Sequence, residues 1–246
     1  MSYPLPTIQD VLDTLGSKPF AYVSSLDLRQ GYMQTYLEDS AKDKTAFISK
    51  PGEKWNFRRL PFGLKTAPSG YQFLMAKVFD RSLGFDRIIP YLNDVLVWSS
   101  LFEEHLQHLK KIFDRLMETG LRLHPKKCSF AGSECTYLGI KLTREGAKID
   151  ESKFEVIKNY PRPTNVKEVR QWIGFVAFYR QFLKDFSKIC APLYRLLRKD
   201  VEFEWNEDCE KAFVEIRDAM LRAPIRKYPD MSKPYSNYIQ TQVPLL

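Results

Sequence analysis

Between Ile88 and Trp98 two apolar, β-rich runs, Ile88-Ile89-Pro90-Tyr91 and Val95-Leu96-Val97-Trp98, are separated only by Leu92-Asn93-Asp94. Such runs joined by a short polar segment predict a tight antiparallel hairpin. The hairpin holds one carboxylate, Asp94, at an exposed tip, with an amide, Asn93, as its neighbour. Another acid, Asp27, ends an earlier strand-like run over residues 20–28, before a break at Gly31. The chain carries 38 Lys and Arg against 30 Asp and Glu, a formal charge of +8. That excess suits a polyanionic partner without requiring one. Acids so placed in a basic protein suggest a two-metal phosphoryl-transfer site, where two Mg²⁺ ions about 3.5–4 Å apart clamp the attacking and leaving oxygens. Acids also end strands and form turns for purely structural reasons, so the residues alone leave both accounts open.

The rest of residues 1–145 mixes strand and helix signals. Residues 45–48 and 55–58 flank a turn at Pro51-Gly52, and residues 61–64 read as a loop. Residues 67–83 predict a helix, with Tyr71, Leu74, Val78 and Phe79 at helical spacing. A longer helix follows, opened by a capping-box pattern at Ser100 and Glu103, carrying Phe102, Leu106, Leu109, Phe113 and Leu116, and stopped by Gly120. His105 and His108 on this helix are expected at the surface. Strand-like pieces return at residues 121–124 and 135–142. From about residue 150 the pattern is helical: one helix from Asn165, one over residues 189–197, and one capped by Asn206. The aromatic run Trp172, Phe175, Phe178, Tyr179 and Phe182 is expected to pack the core of this part. A domain boundary is expected near residues 145–165. No apolar run is long enough to span a membrane, and the polar N-terminus is expected not to act as a secretory signal. The four cysteines form no CxxC pair, and His124, Cys128 and Cys135 lack a fourth ligand at zinc spacing. Reduced thiols in an intracellular chain, cytoplasmic or nuclear, are expected.

Four ordered motifs carry a family resemblance: Ser25-Leu26-Asp27-Leu28-Arg29-Gln30-Gly31-Tyr32, Leu60-Pro61-Phe62-Gly63-Leu64-Lys65-Thr66-Ala67-Pro68, Tyr91-Leu92-Asn93-Asp94 and Tyr137-Leu138-Gly139. Together they resemble the reverse transcriptase of gypsy-type LTR retrotransposons. Pro163-Thr164-Asn165-Val166-Lys167-Glu168-Val169-Arg170 resembles the same polyproteins farther along, so the likeness spans about residues 3–235. The resemblance implies an α+β fold: a right-hand polymerase palm with truncated fingers (residues 1–150), then a helical thumb or connection region (151–235) and a divergent tail (236–246). It implies RNA-directed DNA synthesis on an RNA/DNA template–primer from deoxynucleoside triphosphates, with Mg²⁺, or Mn²⁺, held by Asp27 and Asp94. Tyr32 falls where the family keeps an aromatic ring under the sugar. Phe62, Gly63 and Lys65 fall in the nucleotide pocket. Tyr71, Tyr91, Tyr137, Leu138, Gly139, Lys167 and Arg170 fall on primer and template positions.

Three departures qualify the expected activity. The family hairpin reads Tyr-x-Asp-Asp, whereas Asn93 replaces the first of the paired aspartates, and an amide brings no charge to a metal. The chain starts at Tyr3-Pro4-Leu5-Pro6, past finger strands expected upstream. Ser232-Lys233-Pro234-Tyr235 resembles the approach to an RNase H domain, whose active-site strand does not follow. Catalysis is therefore expected to be impaired. A non-catalytic nucleic-acid-binding or protein-interaction remnant is the alternative, and the sequence does not fix the oligomeric state.

Overall fold

In the computed structural model, which describes residues 3–229, the first unit opens with α1 (Ile8–Ser17). Thr7 accepts from the Asp10 amide, and the Thr7 amide donates to Asp10 Oδ2 at 2.6 Å, so the capping box fixes where the helix begins. Then come β1 (Tyr22–Asp27), α2 (Gly31–Gln34), α3 (Asp39–Lys42), β2 (Phe47–Lys50), β3 (Glu53–Trp55), α4 (Ala67–Val78), β4 (Ile88–Tyr91), β5 (Asp94–Ser99), α5 (Phe102–Thr119), β6 (Ser129–Gly132) and β7 (Cys135–Tyr137). Four strands form one sheet in the order β4-β5-β1-β6, while β2 and β3 make a separate hairpin.

The β4–β5 hairpin forms as the apolar pattern predicts, with Tyr91 opposite Asp94 and a two-residue turn at Leu92 and Asn93. Leu92 carries the left-handed backbone of that turn, φ 49°. Next to it, β1 runs antiparallel to β5 in unbroken register from Tyr22↔Ser99 to Asp27↔Asp94. One face of the sheet buries Leu26, Val95 and Val97 against Tyr71, Met75 and Val78 of α4 and Leu109, Ile112 and Leu116 of α5. Because strand residues alternate between faces, Asp27 and Asp94 lie together on the other face.

Several expectations shift. The helix expected over 67–83 ends at Val78, and residues 81–83 make a single 3₁₀ turn capped by Asp80. The capping box of α5 lies one residue later, since Glu104, not Glu103, accepts from the amides of Ser100 and Leu101. Residues 121–124 contribute only a bridge, Leu28↔Leu123. His105 is fully buried rather than superficial. It sits between Ser24 of β1 (2.7 Å) and Ser99 of β5 (2.9 Å), and Ser99 also meets His108 Nδ1 at 2.8 Å.

The chain divides into two compact units between Leu138 and Gly139. Those two residues both have positive φ, 50° and 73°, which ends the strand expected over 135–142. The second unit contains the hairpin of β8 (Ile140–Thr143) and β9 (Gly146–Ile149), then α6 (Phe154–Lys158), α7 (Val166–Ala177), α8 (Phe186–Ile189), α9 (Ala191–Arg195) and α10 (Glu207–Leu221). Its core centres on Trp172, which meets the rings of Tyr160 and Phe213 at 4.6 and 4.8 Å. Tyr179 and Phe182 are buried with it, but Phe178 is 42% exposed and leaves the expected aromatic core. Residues 230–246, with the expected approach to RNase H, lie outside the described residues.

Candidate metal and nucleotide site

Asp27 and Asp94 are cross-strand partners, so the β1–β5 register alone brings two carboxylates together at the end of the sheet. The hairpin tip is tied to β1 by the Leu28 amide, which donates to the Asn93 carbonyl at 2.7 Å. One residue of α4 holds it from the other side. Gln72 Nε2 donates to the Pro90 carbonyl at 2.8 Å, and Gln72 Oε1 accepts from the Leu92 amide at 2.7 Å. One side chain thus pins both arms of the turn. Behind Asp27, its carbonyl accepts from the His124 amide at 2.7 Å and its amide donates to Cys128 Sγ at 3.4 Å.

Burial raises the Asp94 carboxyl above the usual carboxylate range, and the nearby Asp27 charge adds to the effect; the Lys127 ammonium pulls the other way. Two acids so close in a partly desolvated site store repulsion that a cation would relieve. This donor set fits one divalent ion in the manner of Mg²⁺, which takes one or two carboxylates and completes its shell with water and substrate phosphates. No cluster of three or more His, Cys, Asp or Glu side chains suited to a metal occurs among the described residues. Position 93 is an amide and brings no further anion. Its Oδ1 is buried without a hydrogen bond, on the α4 side of the sheet.

The aromatic positions assemble next to this pair. Tyr32 of α2 meets the Phe62 ring at 5.2 Å and the Tyr71 ring edge-on at 5.1 Å. Burial, then Tyr91, raises the Tyr32 hydroxyl above its usual range. Phe62, Gly63 and Lys65 are exposed, and Gly63 needs its freedom at φ 91°. Tyr71 and Tyr137 are buried instead: Tyr71 lies under the turn, and Tyr137 donates its hydroxyl to the Ile89 carbonyl at 3.1 Å, bracing β4. Leu138 and Gly139 form the left-handed turn, while Lys167 and Arg170 are exposed on α7 of the second unit. Gln72 and Lys127 were not singled out by the sequence, which marked Gly31 only as a break and motif member and Cys128 only in an incomplete zinc set. A glutamine inside the apolar stripe of α4 was the available signal for Gln72. Lys127 and Cys128 reach the site from a 3₁₀ turn far along the chain, with no local pattern to mark them.

A family model described as reverse transcriptase (RNA-dependent DNA polymerase) matches residues 1–142. The chain belongs to the reverse transcriptase family. Among its relatives is the retrovirus-related Pol polyprotein from transposon 412 of Drosophila melanogaster, 37% identical over 95% of this chain and 18% of that polyprotein. The Pol polyprotein from transposon gypsy of the same organism is 34% identical, covering 95% of this chain and 23% of its own length. This reverse transcriptase chain therefore spans only about a fifth of these relatives. Its fold is similar to the foamy viral protease-reverse transcriptase solved in complex with RNA/DNA hybrid, with a TM-score of 0.77 and 27% identity over 88% of this chain and 29% of that one. The same viral protein in complex with dsDNA gives a TM-score of 0.76, with 26% identity over 94% of this chain and 49% of that one. Reverse transcriptases use divalent metal ions. No helix among the described residues is long and apolar enough to cross a membrane.

Proposed function

We propose that this reverse transcriptase chain binds a template–primer duplex and carries a nucleotidyl-transfer centre with impaired catalysis. The observation that carries this reading is the register pairing of Asp27 with Asp94 beside a hairpin whose remaining acidic position is Asn93. Asp27 and Asp94 would hold Mg²⁺, or Mn²⁺, whose chemistry when bound is to lower the barrier to primer 3′-oxygen attack and to neutralise the triphosphate. The chain's own residues do the rest. Tyr32, backed by Phe62 and Tyr71, offers a ring against which a deoxyribose fits and a 2′-hydroxyl collides. Gly63 and the Lys65 ammonium lie in the loop assigned to the incoming triphosphate. Tyr91, and the turn of Leu138 and Gly139 braced through Tyr137, are assigned to the primer end. The first unit then serves as palm with part of the fingers, and the second as thumb, with Lys167 and Arg170 as exposed phosphate-binding charges.

Only two anions serve where the family hairpin has a further one, and loss of even an indirect metal partner costs about 10–100-fold. Primer extension by purified protein, with Mg²⁺ and with Mn²⁺, beside an Asn93→Asp variant, tests this. Extension should be undetectable or slow in the parent and increased by at least about tenfold in the variant. Robust Mg²⁺-dependent extension by the parent would overturn the impaired reading. If neither protein extends a primer yet both bind the duplex, the non-catalytic alternative holds.

A further inference from the structure

Two buried polar atoms beside the Asp27–Asp94 pair have no partner: the Tyr71 hydroxyl and Asn93 Oδ1. They border the same small space. A Cβ added to the buried Gly31 would overlap both of them. Tyr71 comes from α4, and the adjacent Gln72 fixes the backbone on either side of Asn93's turn, so the helix sets where residue 93 can point. Tyr71 is wholly buried, and burial first, then the neighbouring Tyr32 phenol and the Asp27 carboxylate, keeps its phenol protonated. A protonated phenol is a donor and an amide oxygen an acceptor, so the orphans are complementary. Leaving both unpaired in a dry pocket is costly.

We propose that Tyr71 is the positioning residue for Asn93: its hydroxyl claims Oδ1 and leaves the amide nitrogen, a donor, as the end available to the Asp27–Asp94 side. The amide then serves as a weak stand-in for a cation. Its N–H groups are suited to the carboxylates or to phosphate oxygens, and its oxygen is withheld from a metal. Gly31 is required because any side chain there would fill the space where hydroxyl and amide meet. The effect of Asn93 therefore exceeds a missing charge, because Tyr71 actively orients the replacement. This rests on the metal-centre reading above.

The test is a double-mutant cycle on the full chain, reading Mn²⁺ affinity without nucleic acid by the electron paramagnetic resonance of free Mn²⁺, with thermal unfolding followed in parallel. Tyr71→Phe keeps the ring and removes only the hydroxyl. In the Asn93 background it frees the amide to turn its oxygen outward, and Mn²⁺ affinity should rise about two- to tenfold, the worth of one hydrogen bond. With Asn93→Asp, one carboxylate oxygen can accept from Tyr71 while the other faces the metal. Affinity should then rise in the parent background, and Tyr71→Phe should no longer increase it. A merely structural Tyr71 would shift the unfolding temperature alike in both backgrounds and leave the Mn²⁺ coupling at zero, which would overturn the proposal. Absence of Mn²⁺ binding in all four proteins would overturn it too. Loss of duplex binding with the coupling intact would instead count against the polymerase reading alone.

Discussion

Asp94 weakens the fold at the pH where it is ionised. Its carboxyl is raised by burial and by Asp27, so the folded chain binds this proton more tightly than the unfolded chain does. Stability from this group is present at low pH and lost as pH rises through the elevated value. At neutral pH the ionised Asp94 therefore weakens the fold. Asp94→Asn should raise the melting temperature at pH 7 and shrink that gain near pH 4, while abolishing Mn²⁺ binding. Equal melting temperatures at pH 7 would mean that the two carboxylates do not repel. The pairing of Asp27 with Asp94 across adjacent strands was within reach of the sequence, because a strand-like run ends on one and a turn signal holds the other, though those signals alone left a structural role equally open. The orientation of Asn93 was out of reach, since it depends on a phenol in another element and on a glycine that leaves room.

At the scale of elements, α4 and α5 govern the sheet by different chemistry. Gln72 of α4 satisfies a donor and an acceptor on the β4–β5 turn. Gln72→Ala should cost about 1–3 kcal/mol, the penalty for unpaired buried groups, and should speed hydrogen exchange at the Leu92 amide more than at Val95. From α5, the buried His105 and the half-buried His108 join Ser24 and Ser99 in one hydrogen-bonded chain. The Ala131 amide donates to Ser24 Oγ at 2.8 Å, which lets the Ser24 hydroxyl donate to His105 Nε2, His105 Nδ1–H donate to Ser99, and Ser99 donate to His108. Desolvation lowers both histidines; Glu104 opposes it at both and Asp86 at His108, while His108 at His105, and Arg87 and Lys111 at His108, reinforce it. Because the folded form disfavours the extra protons, stability is full above the ordinary histidine range and falls as pH drops below about 6.5. Urea unfolding at pH 7.5 and pH 5.5 should show the loss, and Ser99→Ala should reduce its pH dependence. A histidine pair at helical spacing gives no hint of this, because the same spacing serves a solvated face. What decides burial is which side of α5 meets β1 and β5, and that is fixed by tertiary packing.

For the whole molecule, the +8 charge and exposed basic side chains such as Lys65, Lys167 and Arg170 predict binding dominated by phosphate contacts. Duplex affinity should fall by roughly a thousandfold or more between about 50 and 200 mM salt if six or more phosphates are neutralised. Fluorescence anisotropy across that range measures the slope, and salt-indifferent binding would remove the electrostatic account. Helix-rich character after residue 150 was readable from periodicity, as was the mixed α+β character before it. The division at Leu138 and Gly139 was not, because it depends on long-range contacts and two left-handed residues rather than on composition. The ladder from Tyr22↔Ser99 to Asp27↔Asp94 also bears on how the chain reaches its native state. The hairpin of β4 and β5 is local and closes within microseconds, whereas β1 must cross the whole span between residues 27 and 94 to join it. Loop-closure entropy makes that docking the slow step. The two aspartates meet at its final rung, so the nascent polypeptide holds no acidic centre until the central strand has threaded into place. A slip of one residue in that search would turn Asp27 to the opposite face, away from Asp94.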